Sequence, residues 1–115
     1  MRTLNDYFIT AKIADISTAS STFVAIPDGG KVIKIITALQ AVIATANGGI
    51  SFEIGGTAIT NGGITVAYSG SAVGDVDTAT PTAANEVAED GTIEMITDGA
   101  STNASVLYVT FVIRR

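Results

Sequence analysis

Hydrophobic residues recur at every second position along much of this chain. The clearest case is the C-terminal segment, where four apolar side chains share one phase: Leu107, Val109, Phe111 and Ile113. Alternation with a period of two is typical of a β-strand, because successive side chains point to opposite faces of a sheet. The intervening residues from Val106 to Val112 are also fairly apolar, so we expect this strand to be central or covered on both faces.

The same alternation predicts several further strands. It runs through residues 7–13, 31–43, 50–54, 64–68 and 93–95, and a shorter apolar run occupies residues 23–26. In the longest of these segments the residues predicted to share one phase are Ile33, Ile35, Thr37, Leu39, Ala41 and Ile43. β-Branched residues are frequent in all of them, which suits a pleated and half-buried surface.

Glycine-containing turn signals separate the predicted strands, at residues 27–30, 47–49, 55–56, 61–63, 90–91 and 98–99. The pair Gly55-Gly56 has the spacing of a hairpin with a primed turn. The best candidate for a helix is one short turn over Pro81–Val87, which Thr80 or Thr82 could cap. The sequence therefore predicts an all-β fold, a sandwich or a barrel of about eight strands with at most one short helix.

The length of 115 residues is that of one domain, and we assign residues 1–115 to it, of which residues 1–6 could form an N-terminal arm. No apolar run approaches the roughly 20 residues that span a bilayer. The N-terminus has no hydrophobic segment of the secretory type. We therefore expect synthesis in a cytoplasm and no association with a membrane.

The absence of cysteine and histidine narrows the chemistry that is open to the chain. Neither a disulfide framework nor a thiolate metal site is available, and the usual general base is missing. A carboxylate dyad drawn from Asp75, Asp77, Glu86, Glu89 or Glu94 is formally open, as is a weak calcium site at Asp75 and Asp77. We predict no enzymatic activity, no catalytic residue, no metal, no cofactor and no small-molecule substrate.

Charge is sparse, since charged residues make up 15% of the chain against a usual value of about 25%. The mean hydropathy is +0.45. Two explanations are open: a monomer coated with serine and threonine, or a subunit whose apolar surface faces other subunits. We favour the second, because burial by assembly explains why so little charge is needed.

The basic residues lie near the two ends of the sequence: Arg2, Lys12, Lys31, Lys34, Arg114 and Arg115. The interval between Lys34 and Arg114 carries only acidic charge. With a pI of about 4.3, binding to a nucleic acid is disfavoured. If the termini meet in space, the domain would have a basic end and an acidic body that could orient it on a charged partner.

Three segments resemble small structural proteins of tailed bacteriophages. They are SGSAVGDVDTATPTAAN over residues 69–85, the segment Gly91–Met95, and the C-terminal segment from Val109, which ends in two arginines. The chain is most similar in texture to capsid decoration, or cement, proteins. This resemblance implies a jelly-roll-like antiparallel β-sandwich that binds the major capsid protein on the outside of a phage head, stabilises contacts between capsomers and forms a homotrimer.

Charge segregation suggests which residues would touch such a shell. The predicted contact residues are Met1, Arg2, Thr3, Leu4, Asn5, Asp6, Tyr7, Arg114 and Arg115, while the acidic segment Gly70–Asp90 would face neighbouring subunits or solvent. An alternative function is a host-surface or glycan-binding module of a head or tail fibre, because jelly rolls also form lectins. A subunit of a pilus or another filament is a third alternative.

Overall fold

Residues 4–115, which the computed structural model describes, form ten β-strands and no helix. In chain order the strands are β1 (Asp6–Ile13), β2 (Ser20–Ile26), β3 (Gly30–Leu39), β4 (Gly48–Ile54), β5 (Thr57–Ala58), β6 (Ile64–Val66), β7 (Val76–Ala79), β8 (Glu86–Val87), β9 (Gly91–Thr97) and β10 (Leu107–Arg114). The all-β prediction is therefore confirmed.

The strands form two antiparallel sheets whose order is that of a jelly roll. The first sheet has the order β1-β10-β3-β7, with β8 also on β3, and the second has the order β2-β9-β4-β5, with β6 also on β4. Because β7 and β8 share one side of β3, and β5 and β6 share one side of β4, each sheet has four strand positions. The first four strands alternate between the sheets. This eight-position arrangement agrees with the predicted sandwich of about eight strands.

One hydrophobic cluster lies between the two sheets. Its central contact joins Phe52 of β4 to Phe111 of β10, whose rings meet edge to face with their centroids 5.6 Å apart. The four alternating residues of the C-terminal strand are all buried, as predicted: Leu107, Val109, Phe111 and Ile113. Strand β10 lies between β1 and β3, which confirms its central position.

A β-bulge in β3 changes the predicted phase of that strand. Val112 of β10 lies opposite Lys34, whereas the next residue, Ile113, lies opposite Val32, so β3 contains one extra residue at Ile33. An extra residue shifts which side chains face the core. The prediction that Ile33 shares the inward phase is wrong, because Val32 is buried there and Ile33 is only half-buried. From Ile35 to Leu39 the predicted phase is correct.

The segment Pro81–Val87, the best candidate for a helix, contains no helical turn: Ala83 forms an isolated β-bridge with Thr60, and the segment ends in β8. Its buried Asn85 binds Val32 of β3 with both its side chain and its backbone. The Asn85 side-chain amide donates to the Val32 carbonyl at 2.7 Å, and the Val32 amide donates to the backbone carbonyl of Asn85 at 2.9 Å. These bonds replace those of a helical turn, so the helical expectation is wrong. The Gly55-Gly56 hairpin is confirmed, with φ angles of 60° and 81° that suit a primed turn.

Candidate protein-binding faces

The outward half of the alternation in β1, β10, β3 and β7 forms what we call the first-sheet outer face. Its residues are set by the register of the four strands: Phe8, Thr10, Lys12, Lys34, Ile36, Ala38, Val76, Thr78, Tyr108, Thr110 and Val112, of which Val112 is buried. Most of them are apolar or threonine, which explains how a strand such as β10 can be apolar on both sides.

Three large apolar side chains project from this face. Phe8 is 58% exposed, Tyr108 is 43% exposed and Val76 is 61% exposed. Tyr108 and Val76 both lie opposite Ala38, so a small residue separates two taller ones. Exposed apolar side chains on neighbouring strands of one face are characteristic of surfaces that bind proteins.

On this face two threonine hydroxyl groups satisfy each other, whereas the two lysines have no acidic partner among residues 4–115. The Thr10 and Thr110 hydroxyl groups hydrogen-bond to each other across the strands at 3.0 Å. Among residues 4–115, neither Lys12 nor Lys34 forms an ion pair. Lys31, at the end of the sheet, does pair with Glu86, at 3.8 Å. The first-sheet outer face is therefore apolar with two uncompensated positive charges.

The second sheet presents a different outer face, which we call the second-sheet outer face. Its residues are Ser21, Phe23, Ala25, Ser51, Glu53, Thr92, Glu94 and Ile96. Glu53 and Glu94 lie directly opposite each other on neighbouring strands, an arrangement in which like charges repel. Asp98 continues the acidic surface beyond β9, and its carboxylate lies over Gly49. No lysine or arginine of residues 4–115 belongs to this face.

Charge is thus divided between the two sheets. The two ends of the chain do meet in space, because Asp6 of β1 lies opposite Arg114 of β10. However, Lys12 lies at the far end of β1 from Asp6. The basic residues of the described chain accordingly follow the first sheet and its C-terminal extension.

The predicted shell contacts that the structure describes form a cluster of paired groups at the chain ends. The Arg114 guanidinium donates two hydrogen bonds to the Asp6 carboxylate, at 2.8 and 3.0 Å, and this bonding raises the pKa of Arg114. The Asp6 side chain is completely buried. Arg115 pairs with Asp28 and lies over the Tyr7 ring, 4.7 Å from its centroid. Arg114 therefore ties β10 to β1, and Arg115 ties the C-terminus to the turn between β2 and β3.

Tyr7 completes this cluster from the edge strand. Its hydroxyl donates to the Gly29 carbonyl at 3.0 Å, and partial burial raises the pKa of Tyr7. Leu4 is fully exposed and Asn5 is exposed, whereas Met1, Arg2 and Thr3 lie outside the described residues. The structure thus brings some of the nine predicted contacts together in one cluster. The two arginines of that cluster, Arg114 and Arg115, have aspartate partners.

The acidic segment Gly70–Asp90 is spread over several elements. The Asp75 carboxylate accepts a hydrogen bond from the Ala72 amide at 2.8 Å. Asp77 lies on β7 directly opposite Thr37, and partial burial raises the pKa of Asp77. Within residues 4–115 the side chains of aspartate and glutamate form no group of three or more that could hold a metal ion.

One surface depression of about 530 Å³ lies between the β4–β5 hairpin and the segment that leads into β8. Its lining is Lys31, Ile54, Thr57, Thr82, Ala83, Ala84, Asn85 and Glu86. The two charged members of this lining pair with each other. The described residues around it include no aromatic ring on which a sugar could stack.

The residues that sequence reasoning did not select are those of the first-sheet outer face, above all Phe8, Tyr108 and Val76. A signal for them was present, since the outward phase of the C-terminal strand is itself apolar. What the sequence could not supply was the neighbour of each strand. The register brings Phe8 and Tyr108 onto one surface although 100 residues separate them.

Residues 4–115 contain no helix that is long and apolar enough to cross a bilayer. In comparisons with known proteins, no family model matches the chain, and no curated protein matches it either.

Proposed function

We propose that this chain is a structural subunit which binds other protein subunits through the first-sheet outer face. In line with its resemblance to cement proteins, we propose that it is a capsid decoration protein of a tailed bacteriophage. Its partner would then be the major capsid protein on the outside of the head, after synthesis in the host cytoplasm. No catalytic step is part of this proposal.

The exposure of Phe8, Tyr108 and Val76 on one sheet face is the observation that supports the proposal most directly. Aromatic residues are enriched in the cores of protein interfaces, and truncating one commonly weakens binding strongly. A sheet that is packed against a second sheet on its inner side holds these groups in fixed positions. Little conformational freedom is then lost on binding.

The dimensions of the molecule also suit an interface. Its extents are 39 × 29 × 20 Å, and the shortest one is that expected for two stacked sheets with their side chains. A broad side of 39 by 29 Å is large enough to bury the roughly 800 Å² per partner of a standard interface. A cement protein bridges neighbouring capsomers, and repeated weak contacts on a lattice add up by avidity.

The two lysines favour a partner of negative charge. Lys12 and Lys34 have no acidic partner within residues 4–115, so an acidic surface that approached the first sheet would be attracted to both. Because such attraction is screened by salt, binding should weaken as ionic strength increases.

A matched pair of tyrosines provides the test of this proposal. Tyr108 lies on the first-sheet outer face and is 43% exposed, whereas Tyr68 lies beyond β6 and is 45% exposed. Tyr108→Ser should weaken co-sedimentation with purified phage shells by about tenfold or more, the usual effect of removing an aromatic anchor. Tyr68→Ser should bind like the unchanged protein.

The same assay distinguishes the alternatives. Equal binding by both variants would remove the first-sheet outer face as the contact, and failure of the unchanged protein to bind any shell would remove the cement function. A reproducible hit on a glycan array that is lost in neither tyrosine variant would favour the fibre module. Replacing Arg114 and Arg115 is a weaker test, because these residues also hold the chain ends together.

A further inference from the structure

Strand β2 is an edge of the second sheet, and one side of its backbone is open. β2 pairs with β9 on one side only. Among residues 4–115, no backbone group of Ser20–Ile26 makes a hydrogen bond outside that pairing. The Ser20 amide points towards β9, since it donates to the Thr97 hydroxyl at 3.0 Å. Amide directions alternate along a strand, so the amides of Ser21, Phe23 and Ala25 point away from the sheet.

This edge lacks the protection that natural edge strands usually have. Every residue of β2 is uncharged, and proline appears only after its last residue, at Pro27. Phe23, in the middle of the strand, is 64% exposed. An uncharged edge strand of seven residues with an exposed aromatic ring at its centre readily pairs with another strand.

The other edges of the sandwich are protected or short. Strand β1, the corresponding edge of the first sheet, carries the exposed charge of Lys12, and a charged residue on an edge opposes pairing. At the opposite side of the molecule the edge segments β5, β6, β7 and β8 have between two and four residues each. Strand β2 is therefore distinguished by both its length and its neutrality.

We propose that β2 pairs with β2 of a second copy of this chain, antiparallel about a two-fold axis at Phe23. The second sheets of the two copies would then form one continuous sheet. The occupant of the open edge is a second copy, because two antiparallel copies of β2 can satisfy each other's outward backbone groups without bringing like charges together.

A register centred on Phe23 uses all of the outward backbone groups. Phe23 would lie opposite Phe23 of the second copy, and Ser21 would lie opposite Ala25 in both directions. Each of these three positions is a hydrogen-bonded pair, so about six backbone hydrogen bonds would form. The two Phe23 rings would meet on the outer face, where aromatic cross-strand pairs are favourable.

Electrostatic repulsion does not oppose this pairing. The charged residue nearest to Phe23 in the register is Glu94, directly opposite it on β9. In the paired sheets the two Glu94 residues would be separated by three strand spacings, or about 14 Å. That separation exceeds the Debye length of about 8 Å at physiological ionic strength.

This inference is independent of the proposed function, because it concerns the second sheet and the cement proposal concerns the first. It also differs from the three-fold assembly that the family resemblance implies. The mass in solution separates the two assemblies, since a pair has twice the chain mass of 11.7 kDa and a trimer has three times that mass.

Analytical ultracentrifugation of charge variants tests the pairing. In the double variant Ser21→Lys with Ala25→Lys, each lysine would lie directly opposite a lysine of the second copy, and we expect self-association to weaken by about tenfold or more. The variant Ser21→Glu with Ala25→Glu should behave in the same way. An equimolar mixture of the two should recover pairing, because each lysine then faces a glutamate. A general loss of folding could not produce that recovery.

Several results would overturn the inference. They are a monomeric or trimeric mass for the unchanged protein at high concentration, unchanged association in either charge variant, and no recovery on mixing. Tyr108→Ser should leave the pairing intact, while the β2 variants should still co-sediment with shells. Failure of one proposal is therefore distinguishable from failure of the other.

Discussion

The first sheet turns threonines, aliphatic residues and two lysines without ion-pair partners among residues 4–115 to its outer side. The second sheet turns two glutamates that lie directly opposite each other to its outer side. Their edges differ as well, since β1 carries both signs of charge and β2 carries none. The inner sides are alike, because each contributes one phenylalanine and several aliphatic side chains to a single cluster.

This difference shows that the inward residues of each strand serve folding, while the outward residues are free to serve recognition of a partner. The inward half of each alternation specifies the jelly roll, and either sheet supplies it in similar fashion. The outward half is free to vary, so charge and exposed aromatic residues there determine which partner each sheet can accept. A fold of this kind is compatible with many functions, and the faces carry the information about this one.

The largest expected loss of stability comes from removing either of the two core phenylalanines, one from each sheet. Phe111→Ala in the first sheet and Phe52→Ala in the second should each lower the free energy of unfolding by about 3–5 kcal/mol, because both rings are buried against each other. Chemical denaturation measures the loss. Phe8→Ala, on the outer face, should change stability by less than about 0.5 kcal/mol.

A large loss for one phenylalanine and a loss below about 1 kcal/mol for the other would contradict the shared core. It would mean that the packing of one sheet depends little on the ring supplied by the other.

Two glycines provide the next comparison, because Gly30 is closely surrounded by other atoms and Gly55 faces open space. At Gly30, where β3 meets β10, φ is 133° and an added Cβ would lie 2.6 Å from the Arg114 carbonyl oxygen. Gly30→Ala should therefore cost about 3 kcal/mol from strain and overlap together. At Gly55, in the hairpin of the second sheet, φ is 60° and nothing lies within 4 Å. Gly55→Ala should cost only about 1 kcal/mol.

Thermal unfolding of the two alanine variants checks this order. If Gly30→Ala cost no more than the roughly 1 kcal/mol expected for Gly55→Ala, the contact between the start of β3 and the Arg114 carbonyl would be looser than described.

The alternation in the sequence was sufficient to predict the fold class and most of the core. It identified the inward residues of β10, because that strand keeps one phase without a bulge of its own from Leu107 to Ile113. It failed at Ile33, since a bulge arises from how β3 is paired with β10 and leaves no mark in a hydrophobic pattern. It also failed at Pro81–Val87, where hydrogen bonds from Asn85 to a distant strand outweigh the local preference for a helical turn.

The candidate faces were harder to predict for a related reason. Phe8, Tyr108 and Val76 lie on strands that are far apart in the sequence, and only the strand order places them on one face of one sheet. Arg114 and Arg115 looked available for a partner because their charges follow one another. Their aspartate partners, at residues 6 and 28, come from other parts of the chain.

A smaller effect is expected at low pH from the connection between the two sheets. Asp15, between β1 and β2, accepts hydrogen bonds from the Ser17 hydroxyl at 2.7 Å and the Ser17 amide at 2.9 Å, which lower the pKa of Asp15. The stability that it contributes is present above the pKa of an unfolded aspartate, about 3.9. It is lost as the pH falls through the folded-state value. Asp15→Asn should therefore destabilise the protein at neutral pH and reduce its sensitivity to acid.

The smallest expected effect has the opposite sign and lies on the first sheet. Burial raises the pKa of Asp77, so its contribution is most favourable below the pKa of the unfolded group and is lost as the pH rises through the folded-state value. The Thr37 hydroxyl opposite it is buried and has no hydrogen-bond partner among residues 4–115. Asp77→Asn should slightly raise the melting temperature at neutral pH. A lower melting temperature would show that the carboxylate makes a favourable contact.

The central claim, that the shell is bound by the first-sheet outer face and not by the second-sheet outer face, is tested most directly by covalent footprinting of the protein bound to phage shells. Binding should slow the modification of Lys12 and Lys34 on the first sheet by an amine-specific reagent. The reactivity of Glu53, Glu94 and Asp98 towards a carboxylate-specific reagent should stay unchanged. Protection of these carboxylates with unchanged lysine reactivity would contradict the account.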